Sequence, residues 1–130
     1  MKKIDTGNIR RGDIYFIEVG STVGSEQRGR RPAIILSNNV GNRHGSTVIA
    51  AMITSAPKRL TLPTHVPVSA TGLLPNSLVL LEQIRTVDKR RLISFIGHLG
   101  SKEMRKVDDA LMVSLGLTEI NQRTCRGEQF

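Results

Sequence analysis

The chain has 130 residues, a formal charge of +8 and 38% hydrophobic content, which suits one domain with one core. With no Trp, one Tyr and three Phe, that core must be aliphatic. The longest apolar run, Val48 to Ile53, is far too short to span a membrane. Met1-Lys2-Lys3 is not followed by the apolar segment of a secretory signal. The lone Cys125 rules out an internal disulfide and fits a reducing cytoplasm.

Residues 1–9 read as a flexible polar leader. The β-branched and aromatic run Asp13 to Ile17 predicts a strand after the Arg11-Gly12 turn. Gly20 to Gly29 is a loop, and Ala33 to Ser37 a buried strand with Pro32 allowed at its start. Arg31 is expected in the basic loop just before that strand, its backbone held extended by the proline that follows. Asn38 to Gly45 is rich in Asn and Gly and is expected to turn, before a strand from Val48 to Ile53. Pro57 and Pro63 bar helix from the loop at residues 56–64.

His65 to Ser69 is short and carries Pro67, the mark of an edge strand. A short helix over Ala70 to Leu74 has weak support. Ser77 to Arg85 and Leu92 to Leu99 are further strands. The period then changes. Met104, Val107, Leu111 and Leu115 share one face of a helix, with Ser101 as N-cap and Gly116 as its stop. All four are expected in the core. Residues 118–130 lack periodicity and read as a flexible polar tail. Short strands followed by one helix predict a mainly β fold, a small barrel with a C-terminal helix packed on it, in a single domain at 10–117.

The charge is unevenly placed. From Gln27 to Leu81 there is no Asp or Glu, while Arg28, Arg30, Arg31, Arg43, Lys58 and Arg59 fall in that stretch. Arg outnumbers Lys 13 to 6, and its planar fork of donors suits phosphate. A solvated basic face is the plain alternative, but an acid-free stretch of this length points first to nucleic acid.

Several chemistries lack their residues. His44, His65 and His98 are scattered, and no Cys, His, Asp and Glu fall at metal-ligand spacing. No phosphate-cradling Gly-Lys-Ser/Thr loop is present, and Gly24-Ser25-Glu26 is not a hydrolase elbow. Two-metal nuclease chemistry needs clustered carboxylates, which the basic half lacks. A nuclease of this composition is expected to need neither metal nor cofactor. RNA permits this because its 2′-hydroxyl can attack the adjacent phosphorus. The protein then has to align the groups, stabilise phosphoryl charge and move two protons.

An ordered set of short strings runs through the chain: Arg11-Gly12-Asp13-Ile14-Tyr15-Phe16, Val23-Gly24-Ser25-Glu26-Gln27, Arg31-Pro32-Ala33-Ile34-Ile35, Asn38-Asn39-Val40-Gly41-Asn42, Leu62-Pro63-Thr64-His65-Val66 and Leu81-Glu82-Gln83-Ile84-Arg85-Thr86-Val87-Asp88-Lys89. Together these resemble the MazF/PemK family of toxin endoribonucleases, from about Arg10 to Leu117. The resemblance implies an SH3-like barrel, a homodimer, metal-free cleavage of single-stranded RNA at a short sequence, a cognate antitoxin and a bacterial cytoplasmic setting. It also implies that Arg31 and Thr54 are the central catalytic residues, with Glu26 sometimes given a part.

Each candidate has a plainer reading. Arg31 could be a surface cation, and Thr54 a strand-ending Thr bonded to its own backbone. Glu26 could orient Arg31, accept the 2′-hydroxyl proton or form a structural ion pair. Ser25 could bond phosphate or the loop backbone, and Gln27 adjoins it as a candidate RNA contact. Arg28 and Arg30 could position phosphate or be solvated. His65 could stack on a base or assist proton transfer, although a lone His on a short strand is more often structural. Gln83 and Arg85 could line the RNA groove or the dimer seam. Glu82 and Asp88 read as salt-bridge partners.

Three other functions compete with the nuclease. One is a same-fold toxin that poisons a protein such as DNA gyrase, another a nucleic-acid-binding barrel without chemistry, and the third a ribonuclease using two of the histidines.

Overall fold

The computed structural model describes residues 5–20, 29–55 and 62–118. The elements are β1 (Asp13–Glu18), β2 (Arg30–Ile35), α1 (Asn39–His44), β3 (Thr47–Thr54), β4 (His65–Val68), β5 (Ser77–Asp88), β6 (Leu92–His98) and α2 (Ser101–Ser114). A single 3-10 turn at Lys89–Arg91 joins β5 to β6. The six strands form one sheet in the order β4-β5-β3-β2-β1-β6, with every pair antiparallel. Among the described residues no ladder joins β4 to β6, so the sheet stays open where a barrel would seal. The mainly β fold with a C-terminal helix is the one the strand and helix patterns predict.

Strand alternation divides the buried side chains between two clusters. Ile14, Ile34, Ala51, Val66, Val79 and Leu81 pack with Val107 and Ala110 of α2. On the opposite face Tyr15, Ile17, Ala33, Ile35, Ala50 and Val87 form a second cluster with Ile9 and Leu92. Burial pushes the Tyr15 hydroxyl up to about 12, and the carboxylates of Asp13 and Asp5 add to the rise. The one tyrosine therefore stays protonated near neutral pH.

Several local expectations need correction. Residues 39–44 are a short helix and not a plain turn, because side chains supply what their sequence lacks in propensity. The Asn38 side chain caps it by accepting from the Gly41 amide at 2.7 Å. Asn42 is fully buried, and its side-chain amide donates to the Ser37 carbonyl at 2.8 Å. Residues 70–74 form turns and no helix. β5 runs three residues past Arg85. The N-cap of α2 is Gly100, and Ser101 is the first helical residue. Gly116, with φ of +73°, ends the helix as its spacing predicts. Leu115 is 55% exposed and lies outside the core, while Ala110 holds a buried place on that face.

The leader expected at residues 1–9 has a docked portion. Ile9 is buried in the second cluster, and the Thr6 carbonyl accepts from the Lys89 ammonium at 3.1 Å. Lys89 itself is buried and also donates to the Asn42 carbonyl. Lys89→Ala strands both carbonyls, so it is expected to lower stability by about 1–3 kcal/mol in urea denaturation. Of the expected tail at residues 118–130, all but Thr118 lies outside the described residues.

Candidate active site

Arg31 is the second residue of β2, not a loop residue. β1 pairs with this whole stretch, setting Ile17 opposite Arg31 and Glu18 opposite Arg30. The β2–β3 ladder begins only at Ala33, opposite Met52, because Pro32 has no N–H to give. Continued two residues, that register sets Arg31 opposite Thr54, the last residue of β3. Residues opposite one another on antiparallel strands share a face at short range, so the fold brings this predicted pair together. Both belong to the face that carries Ala33 and Met52 of the second cluster.

Two hollows open beside this strand end, and Arg31, Ile53 and Thr54 border both. The smaller, about 330 Å³, adds Val19, Met52, Leu80, Gln83 and Arg85. Arg85 joins because it pairs with Ala50, on the same face as Thr54. Gln83 lies where β5 slips register, since Ala51 pairs with Ile84 and Met52 with Leu80. The larger hollow, about 420 Å³, lies toward Phe16, Arg30, Pro32, Ser55, Leu73 and Leu74. The sequence pattern does not single out Phe16, Leu73 or Leu74 as site residues, because turn residues and one Phe within a strand have no distinguishing signature.

Arg30, Arg31 and Arg85 border these hollows, and among the described residues no carboxylate does. Arginine and hydroxyl donors in such a setting suit a phosphodiester, whose two unbridged oxygens accept from both. No group of three His, Cys, Asp or Glu able to hold a metal ion occurs among the described residues. Ser25, Glu26, Gln27 and Arg28 lie outside the described residues.

His65 is placed elsewhere, in a different hollow bordered by Pro63, Val66, Pro67 and the α2 residues Lys106, Asp109, Ala110 and Val113. Its Nδ1 accepts from the Leu62 amide at 3.2 Å, and its Nε2 lies 3.0 Å from Glu82. Thr64, fully buried, also donates to Glu82 at 2.7 Å. His98 contacts Asp13 at 2.7 Å on β6, at the other end of the strand order from β4. Each of these histidines has its own carboxylate, and the fold does not pair them for catalysis. Asp88 has the salt-bridge role its sequence suggests. Hydrogen bonds from Arg90 hold its carboxyl well down, at about 2.

Burial works to raise Glu82, but the hydrogen bonds from Thr64 and His65 outweigh it and hold the carboxyl below its ordinary value. A carboxyl lowered on folding stabilises the protein above its unfolded value. That contribution is lost as pH falls through the folded value. Glu82→Gln is therefore expected to weaken the protein near neutrality and to reduce its loss of stability as pH falls below about 4.5, read by urea denaturation at each pH.

No helix among the described residues is long and apolar enough to cross a membrane. Residues 10–115 match the model of the PemK-like, MazF-like toxins of type II toxin-antitoxin systems. The chain is 47% identical over 113 residues to the Endoribonuclease EndoA of Bacillus subtilis (strain 168), covering 85% of this chain and 97% of that protein. A mycobacterial endoribonuclease solved in complex with its cognate antitoxin superposes with a TM-score of 0.71 at 31% identity, covering 86% of this chain and 99% of that one. A MazE-MazF crystal structure from Deinococcus radiodurans gives a TM-score of 0.70 at 26% identity over 85% of this chain and 97% of that one. With its sheet, its helix and nearly all of its described length matched, the chain belongs to the PemK-like, MazF-like toxins of type II toxin-antitoxin systems.

Proposed function

We propose that this toxin is a metal-independent, sequence-selective endoribonuclease that cleaves single-stranded RNA in the bacterial cytoplasm, acts as a homodimer and is neutralised by a cognate antitoxin. The observation that carries the reading is the register that sets Arg31 opposite Thr54 at the border of two hollows with no described carboxylate. Two of the named relatives are endoribonucleases, one of them solved in complex with its cognate antitoxin, which favours this over a gyrase poison or a barrel without chemistry.

In the proposed reaction the RNA 2′-oxygen bonds to phosphorus and the bond from phosphorus to the 5′-oxygen breaks. The 2′-hydroxyl gives up its proton, and the departing 5′-oxygen gains one. The products are a 2′,3′-cyclic phosphate and a 5′-hydroxyl. Arg31 stabilises the charge on the phosphoryl oxygens, and the Thr54 hydroxyl donates to one of them. Arg31 is unsuited to act as the base, since a free guanidinium holds its proton to above ~12. Glu26 is the candidate proton acceptor. Gln83 and Arg85, with Ser25, Gln27, Arg28 and Arg30, guide the strand.

The purified protein is incubated with single-stranded RNA in excess chelator, and the new ends are sequenced. Cyclic phosphate ends at a recurrent short sequence are expected. Absence of cutting with or without metal overturns the nuclease reading, and cutting abolished by chelator overturns its metal-free part.

A further inference from the structure

The larger hollow beside Arg31 and Thr54 differs in character from the smaller one. Arg30 and Arg31 are neighbours on a strand, so their side chains leave β2 on opposite faces. Arg30 shares a face with Pro32 and Phe16, and its guanidinium carbon sits 5.5 Å from the centroid of the Phe16 ring. The pair sets a planar cation over an aromatic ring in one wall of the hollow. The turn that carries Leu73 and Leu74 borders the same hollow. Leu74 is 67% exposed and borders the hollow, so its apolar side chain is open to a ligand there.

The turn is held firmly. The Leu73 amide donates to the Ala70 carbonyl at 2.9 Å, and the buried Ser77 hydroxyl donates to the Leu74 carbonyl at 2.6 Å. At Gly72 an added Cβ would stand 2.6 Å from Ile96 Cγ2, so only glycine lets the turn lie this close to β6.

We infer that this hollow is a nucleobase site: one base of the RNA, next to the nucleotide whose phosphate meets Arg31 and Thr54, inserts between the Phe16–Arg30 wall and Leu74. The inference rests on the RNA-cleavage reading and gives Arg30 and Phe16 a role beyond phosphate attraction. A volume of about 420 Å³ admits one base with room for its sugar. An aromatic face, a guanidinium plane and an aliphatic lid are the surfaces on which unpaired bases stack. The cation within the wall suits an electron-rich base with its sugar-phosphate directed back to the strand end. Stacking accepts every base, so the site seats one nucleotide beside the cut and gives at most a modest preference for an electron-rich base.

The test measures binding separately from cutting. Two fluorescent oligomers of equal length are made on an uncleavable 2′-O-methyl backbone, one with mixed bases and one wholly abasic. Their affinities are measured by anisotropy, and their ratio removes the phosphate contribution. The native protein is expected to favour the base-bearing strand by about 5- to 100-fold per stacked base. Leu74→Ala and Phe16→Leu are each expected to reduce that ratio by about 5-fold or more. A ratio unchanged from native in Leu74→Ala overturns the site, and because Leu74 is exposed that variant decides even if Phe16→Leu fails to fold. Cutting of ordinary RNA is scored alongside. Cutting with an unchanged ratio removes the base site alone. A reduced ratio in a protein that does not cut removes the nuclease reading and keeps the base site.

Discussion

Arg31→Ala is expected to slow RNA cleavage by at least ~100-fold, the scale for one donor aimed at charge that develops in the transition state. The expectation follows from position. Arg31 stands on a paired strand, opposite Ile17 on one side and in register with Thr54 on the other. The ladder with β1 fixes where the Arg31 side chain leaves the sheet, on the same face as Thr54. Arg31→Lys keeps the charge but loses the planar two-pronged donor, so it is expected to recover only part of the rate. Single-turnover rates on a mapped cut site measure both effects. Arg31 is exposed, so the denaturation midpoint should stay close to native. A near-native rate in Arg31→Ala would remove the residue from the chemistry.

Ile34→Ala is expected to cost about 2–5 kcal/mol, the largest effect on stability anticipated for a single truncation here. Ile34 is fully buried near the end of β2, opposite Ile14 of β1 and Ala51 of β3, within the cluster that Val107 of α2 closes. Three strands and a helix meet there, and few neighbours can shift to refill the lost volume. Ile49→Ala is the control. Ile49 is 44% exposed, so the change is expected within about 0.5 kcal/mol of native. Equal losses for the two in urea denaturation would mean that the core is not where the structure puts it.

The sequence announced the strands well because both faces of the sheet are covered, so β-branched and apolar residues fall in short continuous runs, and α2 because Met104 and Val107 repeat at helical spacing. Pro67 marked β4 as an edge, which it is. Features that depend on partners distant in the chain were not legible. Arg31 lies in a strand because β1 pairs with it; Pro32 signals an extended backbone there but not the partner strand. Helix α1 depends on the Asn38 cap and on a buried Asn42, residues that in isolation signal a turn. His65 read as a possible RNA contact because its bond to Glu82 spans 17 residues. For Arg31 and Thr54 the family resemblance chose the residues, and the β2–β3 register supplies a physical reason for the choice. Leu74 escaped notice because exposure is a property of the fold alone.

The two rims of the open sheet differ from its middle. β3 is long and apolar, β5 opens on the apolar run Leu78 to Leu81, and both lie inside the strand order. At one rim β4 has four residues, and Pro67 removes one backbone donor. At the other, β6 meets β1 with two register shifts, which distort the row of amides and carbonyls it presents outward. Short, proline-bearing or irregular rims are poor templates for a foreign strand. The chain therefore confines its fibre-prone segments to the interior, and newly made copies crowded together in a cell are guarded against stacking edge to edge.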